Sequence, residues 1–140
     1  MADLDNNFDR VVLCNGFIVK KILEFIIPVE IVSTVNKKMM NIYMENKRRS
    51  DHRETAYFLM SSAMHKHKFY PAIDEPLTIK FIRISPAELD DDNLPTAFKS
   101  YRDEIAKTLG RKNDKNFFTW QYEQDKHGKT KCGIVEIWGE

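Results

Sequence analysis

The chain has 140 residues, 42% of them hydrophobic, which is enough for one domain with a single core. Its 22 basic and 21 acidic residues leave a formal charge of +1, so the protein is neither a polycation nor a polyanion and any electrostatic steering must come from local patches. The two cysteines, Cys14 and Cys132, are too few and too far apart for a metal site and read as free thiols in a reducing compartment.

Residues 1–10 are polar and expected to fray. They open on the acidic stretch Met1-Ala2-Asp3-Leu4-Asp5, unlike the basic start of a signal peptide, so a cytoplasmic location is expected. Residues 11–19 are apolar but interrupted by Asn15-Gly16, which predicts a short strand or hairpin arm. Leu23, Phe25, Ile27 and Val29 alternate with Glu24 and Ile26, a strand that Pro28 and the residues after it should end. The longest apolar stretch, 22–35, is broken by Glu24, Pro28 and Glu30 and cannot span a bilayer. Ser33 to Asn46 is expected to be a loop carrying Asn36, Lys37 and Lys38.

A helix should begin near Ser50 or Asp51, with Glu54 three residues after Asp51 in the manner of a capping box. Ala56, Tyr57, Met60, Ala63, Met64 and His67 fall at helical spacing and should form its buried face. His65 and His67 lie two apart, point to different sides of a helix and make a poor metal pair. After a connector over 71–76, Leu77, Ile79 and Phe81 alternate with Thr78 and Lys80, and Ile82 and Ile84 face the other way, which predicts a strand buried on both sides at its end. Leu94, Ala97, Phe98, Tyr101, Ile105 and Leu109 keep three-and-four spacing, with Pro95 tolerable in the first turn and Gly110 a natural stop. Phe118, Trp120 and Tyr122 mark a strand. A turn over 125–130 containing His127-Gly128 then leads to a last strand over 133–138, read as the second arm of a hairpin. The expectation is a small α+β domain.

The densest chemistry lies between the strand over 77–84 and the second helix, in Leu89-Asp90-Asp91-Asp92-Asn93-Leu94-Pro95. Three adjacent carboxylates repel one another unless a cation joins them, and hard divalent ions such as Mg²⁺ prefer carboxylate oxygens. On an extended segment Asp90 and Asp92 would project to one side, where they could hold one or two ions for phosphodiester chemistry. The plainer explanation is that acids before a helix cap it and complement its positive end. Charge is also unevenly spread: residues 31–70 carry eight Lys or Arg against three acids, whereas 85–105 carry six acids against two bases. A basic half beside an acidic pocket suits a protein that grips a polyanion and delivers it to a metal, although such clusters also mark plain solvated faces. The sequence has no convincing Ser-His-Asp or Cys-His arrangement and no glycine-rich phosphate loop, which argues against nucleoside-triphosphate hydrolysis.

The block Asp90-Asp91-Asp92-Asn93-Leu94, followed by Ala97, Lys99, Arg102-Asp103-Glu104-Ile105-Ala106 and Leu109-Gly110, resembles the RusA-type Holliday-junction endonucleases, especially their phage and prophage versions. Thr119-Trp120-Gln121-Tyr122-Glu123-Gln124 and Gly133-Ile134-Val135-Glu136-Ile137 are similar to that family's closing pair of strands. Ile27-Pro28 and Ser33-Thr34-Val35-Asn36 are similar to its first strand and Asn-bearing loop. The likeness is clear over roughly the last 55 residues and extends more vaguely back to about residue 22. It implies a mixed sheet with two main helices in one domain, forming a homodimeric, Mg²⁺-dependent nuclease that resolves four-way DNA junctions in recombination and repair in the cytoplasm of a bacterial host. It also implies that Asp90 and Asp92 are metal ligands, that Asn93 braces the turn or caps the helix, and that Lys99 is the active-site lysine. Family members place one or two Asp just after the second helix; here that segment reads Arg111-Lys112-Asn113-Asp114-Lys115, so Asp114 is the third carboxylate. For Lys99, a surface ion pair with Asp103 is the alternative. Asn36, Lys37, Lys38, Lys47, Arg48, Arg49 and Arg53 are expected to contact DNA, mostly its phosphates. Two other readings stay open: a non-catalytic nucleic-acid-binding protein using the same basic patch, and a dimeric interaction domain with no DNA role.

Overall fold

Alternation between apolar and polar side chains builds the sheet of this protein. Its structure, a computed structural model, describes residues 10–12, 18–32, 42–72, 74–110 and 118–139. The strands are β1 (Arg10–Val12), β2 (Ile18–Ile27), β3 (Leu77–Ile84), β4 (Phe118–Asp125) and β5 (Cys132–Gly139), and the helices are α1 (Ile42–His67), α2 (Asn93–Ala97) and α3 (Lys99–Thr108). The sheet order is β1-β2-β5-β3-β4; β3 and β4 run parallel and the other neighbours antiparallel. This is the expected mixed-sheet α+β fold. Among the described residues no helix is long and apolar enough to cross a membrane.

Leu77, Ile79, Phe81 and Arg83 are buried along β3, while the alternate residues Thr78, Lys80, Ile82 and Ile84 are half-exposed. The buried positions of β2 (Leu23, Phe25, Ile27) and β5 (Val135, Ile137) continue the same face, and α1 and the α2–α3 pair cover it. Phe81 sits at the centre: its ring lies 4.9 Å from Phe98, 5.9 Å from Trp120 and 5.6 Å from Tyr122. Burying one such side chain stabilises the fold by about 1.5–3 kcal/mol.

All six positions expected on the second helical face, Leu94, Ala97, Phe98, Tyr101, Ile105 and Leu109, are buried. The helix is interrupted once, at Phe98, whose backbone departs from helical angles and separates α2 from α3. Gly110 follows with φ +72°, the left-handed turn for which glycine is favoured after a helix end.

Four expectations need correction. The first helix starts at Ile42, not near Ser50, so 42–46 are helical rather than loop; the 42–53 segment lies before the first buried residue, Ala56, and its apolar residues Ile42, Tyr43 and Met44 are consecutive, so no helical periodicity is there to read. On α1, Ala56, Met60, Ala63 and Met64 are buried as expected, but Tyr57 and His67 are exposed. Val29 lies past the end of β2 and is exposed. The last two strands do not form a hairpin: β5 pairs with β2 and β3, and β3 separates it from β4. The connection must therefore cross the end of β3, and it does so at Gly128, where a Cβ would stand 2.1 Å from the Ile84 side chain. Cys132 is a buried free thiol. Cys14, the Asn15-Gly16 pair and residues 1–9 lie outside the described residues.

Candidate functional site

The acidic turn begins where β3 ends, and a set of hydrogen bonds fixes the backbone that leads into it. Arg83 occupies a buried position in an otherwise apolar strand and uses its guanidinium to join two loops: Nε donates to the Ile31 carbonyl at 2.7 Å and Nη1 to the Ala87 carbonyl. Burial lowers the Arg83 pKa from its ordinary value, with the nearby Glu30 opposing that shift. The Ser85 amide donates to the Asp125 carbonyl, and the Ser85 hydroxyl accepts from the Ala87 amide. Gln124, on the neighbouring strand β4, closes the set: the Leu89 amide donates to its Oε1 at 2.9 Å while its Nε2 donates to the Leu89 carbonyl at 2.8 Å. The residue immediately before the three aspartates is thus held from both sides.

Asp90, Asp91 and Asp92 are all exposed, on a turn that is not extended. The Asp90 carbonyl accepts from the Asn93 and Leu94 amides, and Asp92 has helical angles (φ −70°, ψ −29°). The expectation that strand alternation places Asp90 and Asp92 on one side is therefore replaced by a turn that carries three exposed aspartates in succession. Asp92 occupies the N-cap position of α2 but makes no side-chain capping hydrogen bond, and Asn93 is the first helical residue, not the cap. The capping explanation for the run thus lacks its hydrogen bond.

Lys99 opens α3, exposed, and among the described residues it makes no ion pair, with Asp103 or any other acid. One turn further on, Arg102 is fixed against β4: its guanidinium stands 4.7 Å above the Trp120 ring, and Nη1 donates to the Tyr122 hydroxyl at 3.2 Å. At the rim, Lys126 pairs with Glu88 at 2.6 Å, an exposed contact of little energetic weight.

Asp114 lies outside the described residues. Phe118, four positions later, pairs with Leu77 at the start of β3, whereas the acidic turn follows Ile84 at its end. The seven steps of β3 put about 23 Å between those two ends. Among the described residues no group of three or more His, Cys, Asp or Glu is placed to hold a metal ion.

The basic cluster, continuous in sequence, divides around α1. Arg49 and Arg53 are one turn apart on one side and exposed, Arg49 pairing with Glu45 at 3.0 Å. Lys47, two residues before Arg49 at 100° per residue, faces almost the opposite way. Arg48 is mostly enclosed. It contacts Glu45 at 3.5 Å, and its Nε and Nη1 are buried without a partner, as is the Tyr101 hydroxyl. His52 stacks on Tyr101, ring centroids 4.7 Å apart. Burial, reinforced by Arg48, lowers the His52 pKa to about 4, and burial raises that of Tyr101 to about 12 against the opposing pull of Arg48. Asn36, Lys37 and Lys38 lie outside the described residues.

Arg83, Gln124 and Arg102 did not emerge from the sequence as functional. A signal was present for two of them: Arg83 and Gln124 fall on the same alternation as Phe81 and Tyr122, so a polar group there must find an internal partner. No protein-family model matches the chain, and no curated protein is significantly similar to it.

Proposed function

We propose that the protein is an Mg²⁺-dependent, structure-specific endonuclease that resolves four-way DNA junctions by paired, symmetric phosphodiester cleavage. The observation that carries the reading is the turn at Asp90–Asp92: three solvent-facing carboxylates on a backbone anchored by Gln124 and Arg83. Among the described residues the three successive aspartates have no ion-pair partner and Asp92 makes no capping bond, and a rigid support for such like charges is of use chiefly to a ligand.

The donor chemistry suits Mg²⁺, which takes hard oxygen ligands and keeps several waters, so few protein groups are needed. Asp90 and Asp92 would hold the ion. Asp114, outside the described residues, is the third candidate, and the chain joining it to Phe118, four positions later, would have to run along much of the length of β3 for it to reach them. When bound, Mg²⁺ makes a coordinated water more acidic and offsets charge on the phosphate. Lys99, exposed at the start of α3 and without an ion pair among the described residues, is assigned to the scissile phosphate, where a fixed cation stabilises developing negative charge. Arg102 ties α3, and with it Lys99, to the strand that bears Gln124. Arg49 and Arg53 supply sequence-independent phosphate contacts. A junction with two-fold symmetry calls for two sites, which a C₂ dimer provides.

The test is Asp90→Asn and Asp92→Asn, each assayed on a synthetic four-way junction. Neither side chain caps a helix or enters the core, and each substitution removes one of three adjacent like charges, so the variants should fold with thermal midpoints no lower than wild type, bind the junction and fail to cut it. Cleavage at the wild-type rate would remove these residues from the site.

A further inference from the structure

Long surface helices normally present polar residues to water, yet α1 exposes large apolar side chains at two places four turns apart. Tyr43 is 75% exposed and Phe58 68%. Between them, Lys47, Ser50, Asp51 and Glu54 complete a stripe along the side of α1 away from its buried Ala56, Met60 and Ala63. At 100° per residue, steps of four, four, three and four from Tyr43 through Lys47, Asp51 and Glu54 to Phe58 stay within a narrow band about 22 Å long.

The order of chemistry along this stripe is its own complement when reversed. A two-fold axis through the midpoint between Ser50 and Asp51 places Tyr43 opposite Phe58, Lys47 opposite Glu54 and Ser50 opposite Asp51 of the other helix. The flanking residues Met44 and Tyr57, both exposed, are exchanged by the same operation. Each apolar end meets an apolar end, and each lysine meets a glutamate. Within the chain, Lys47 and Glu54 are two turns apart, and among the described residues neither enters an ion pair.

We infer that the α1 stripe is the dimer interface of this protein, occupied by the same stripe of a second copy in antiparallel register. An isologous contact of this kind requires that residue i meet residue j while j meets i, and the sequence satisfies that condition at every stripe position. The two aromatic clusters supply apolar burial at the ends, and the two symmetric Lys47–Glu54 pairs set register and orientation. Lys47 thereby belongs to the interface rather than to the DNA-contacting set. The inference deepens the nuclease reading, on which it rests for the expectation of a dimer. A wild type that dimerises with variants unchanged defeats the interface alone, whereas loss of junction cutting in a protein that dimerises as described defeats the nuclease reading alone.

The experiment is a charge swap read by sedimentation equilibrium. Wild-type protein is expected to be a dimer. Lys47→Glu places two glutamate pairs across the axis and Glu54→Lys two lysine pairs, so each variant alone should weaken the dimer at least tenfold. Mixing the two variants one to one restores opposite charges at both positions and should recover dimers of near wild-type affinity. Phe58→Ala should weaken association, and because Phe58 faces solvent in the monomer its thermal midpoint should match wild type once both are diluted to monomers. A monomeric wild type, single variants that dimerise as tightly as wild type, or a mixture that fails to recover would each overturn the inference.

Discussion

Gln124 holds the backbone of Leu89 from both sides, accepting its amide hydrogen at 2.9 Å and donating to its carbonyl at 2.8 Å. Strand β4 thus fixes the entry to a turn on another strand, one residue before the first of three solvent-facing aspartates.

Gln124→Ala leaves both Leu89 groups without a protein partner. A urea titration is expected to show a loss of about 2 kcal/mol. Single-turnover junction cleavage should fall at least tenfold with binding retained, since catalytic ligands tolerate little displacement. An unchanged cleavage rate would show that the aspartates do not depend on this clamp.

Arg83→Met keeps the volume of the buried side chain but strands the Ile31 and Ala87 carbonyls. Two hydrogen bonds from a charged donor are lost, and the expected cost is about 3 kcal/mol. Arg83→Lys should recover only part of this, because an ammonium cannot reach two carbonyls with a planar fork. Chemical denaturation of both variants measures the difference, and equal stability in the two would refute the forked arrangement.

Stability should depend on pH through His52. Its folded pKa of about 4 lies below the ordinary 6.5, so the unfolded chain binds more protons between those values and stability falls as pH is lowered through that window. Because the ring is only half-buried, the loss is on the order of 1 kcal/mol after allowance for solvent screening. His52→Phe retains a ring over Tyr101 and removes the titration. Denaturation midpoints at pH 7 and pH 5 should therefore converge in that variant, and a slope identical to wild type would assign the effect elsewhere.

Basic residues of α1 should separate into two classes. Neutralising Arg49 and Arg53 together should weaken junction binding and reduce the slope of log K against log salt by about two, one per phosphate contact. Arg48→Met should leave that slope unaltered, since its guanidinium is enclosed beside His52 and Tyr101. A slope change on replacing Arg48 would mean that its side chain turns outward to meet DNA.

The sequence was most readable where one helix or strand packs by one periodicity. Leu94 to Leu109 met its buried face at every position because three-and-four spacing needs no knowledge of distant partners. The acidic run stood out for the same reason, being local in sequence. The parallel pairing of β3 with β4 was not legible, since a short turn between β4 and β5 carries the marks of a hairpin and only the whole sheet shows β3 lying between them. Exposure hid the first three turns of α1: helix periodicity is visible only where one side is buried, and burial begins at Ala56. Arg83 and Gln124 were missed as supports because alternation identifies an inward position but not the carbonyl or amide that will meet it.

The most direct measurement uses a labelled four-way junction and the matching linear duplex, each incubated with wild-type protein in Mg²⁺ or in EDTA and resolved on denaturing and native gels. Paired symmetric nicks in the junction alone, present with Mg²⁺ and absent with EDTA, are the predicted result. A junction that is bound but uncut in Mg²⁺, or neither bound nor cut, would contradict the assignment of this protein as a junction-resolving nuclease.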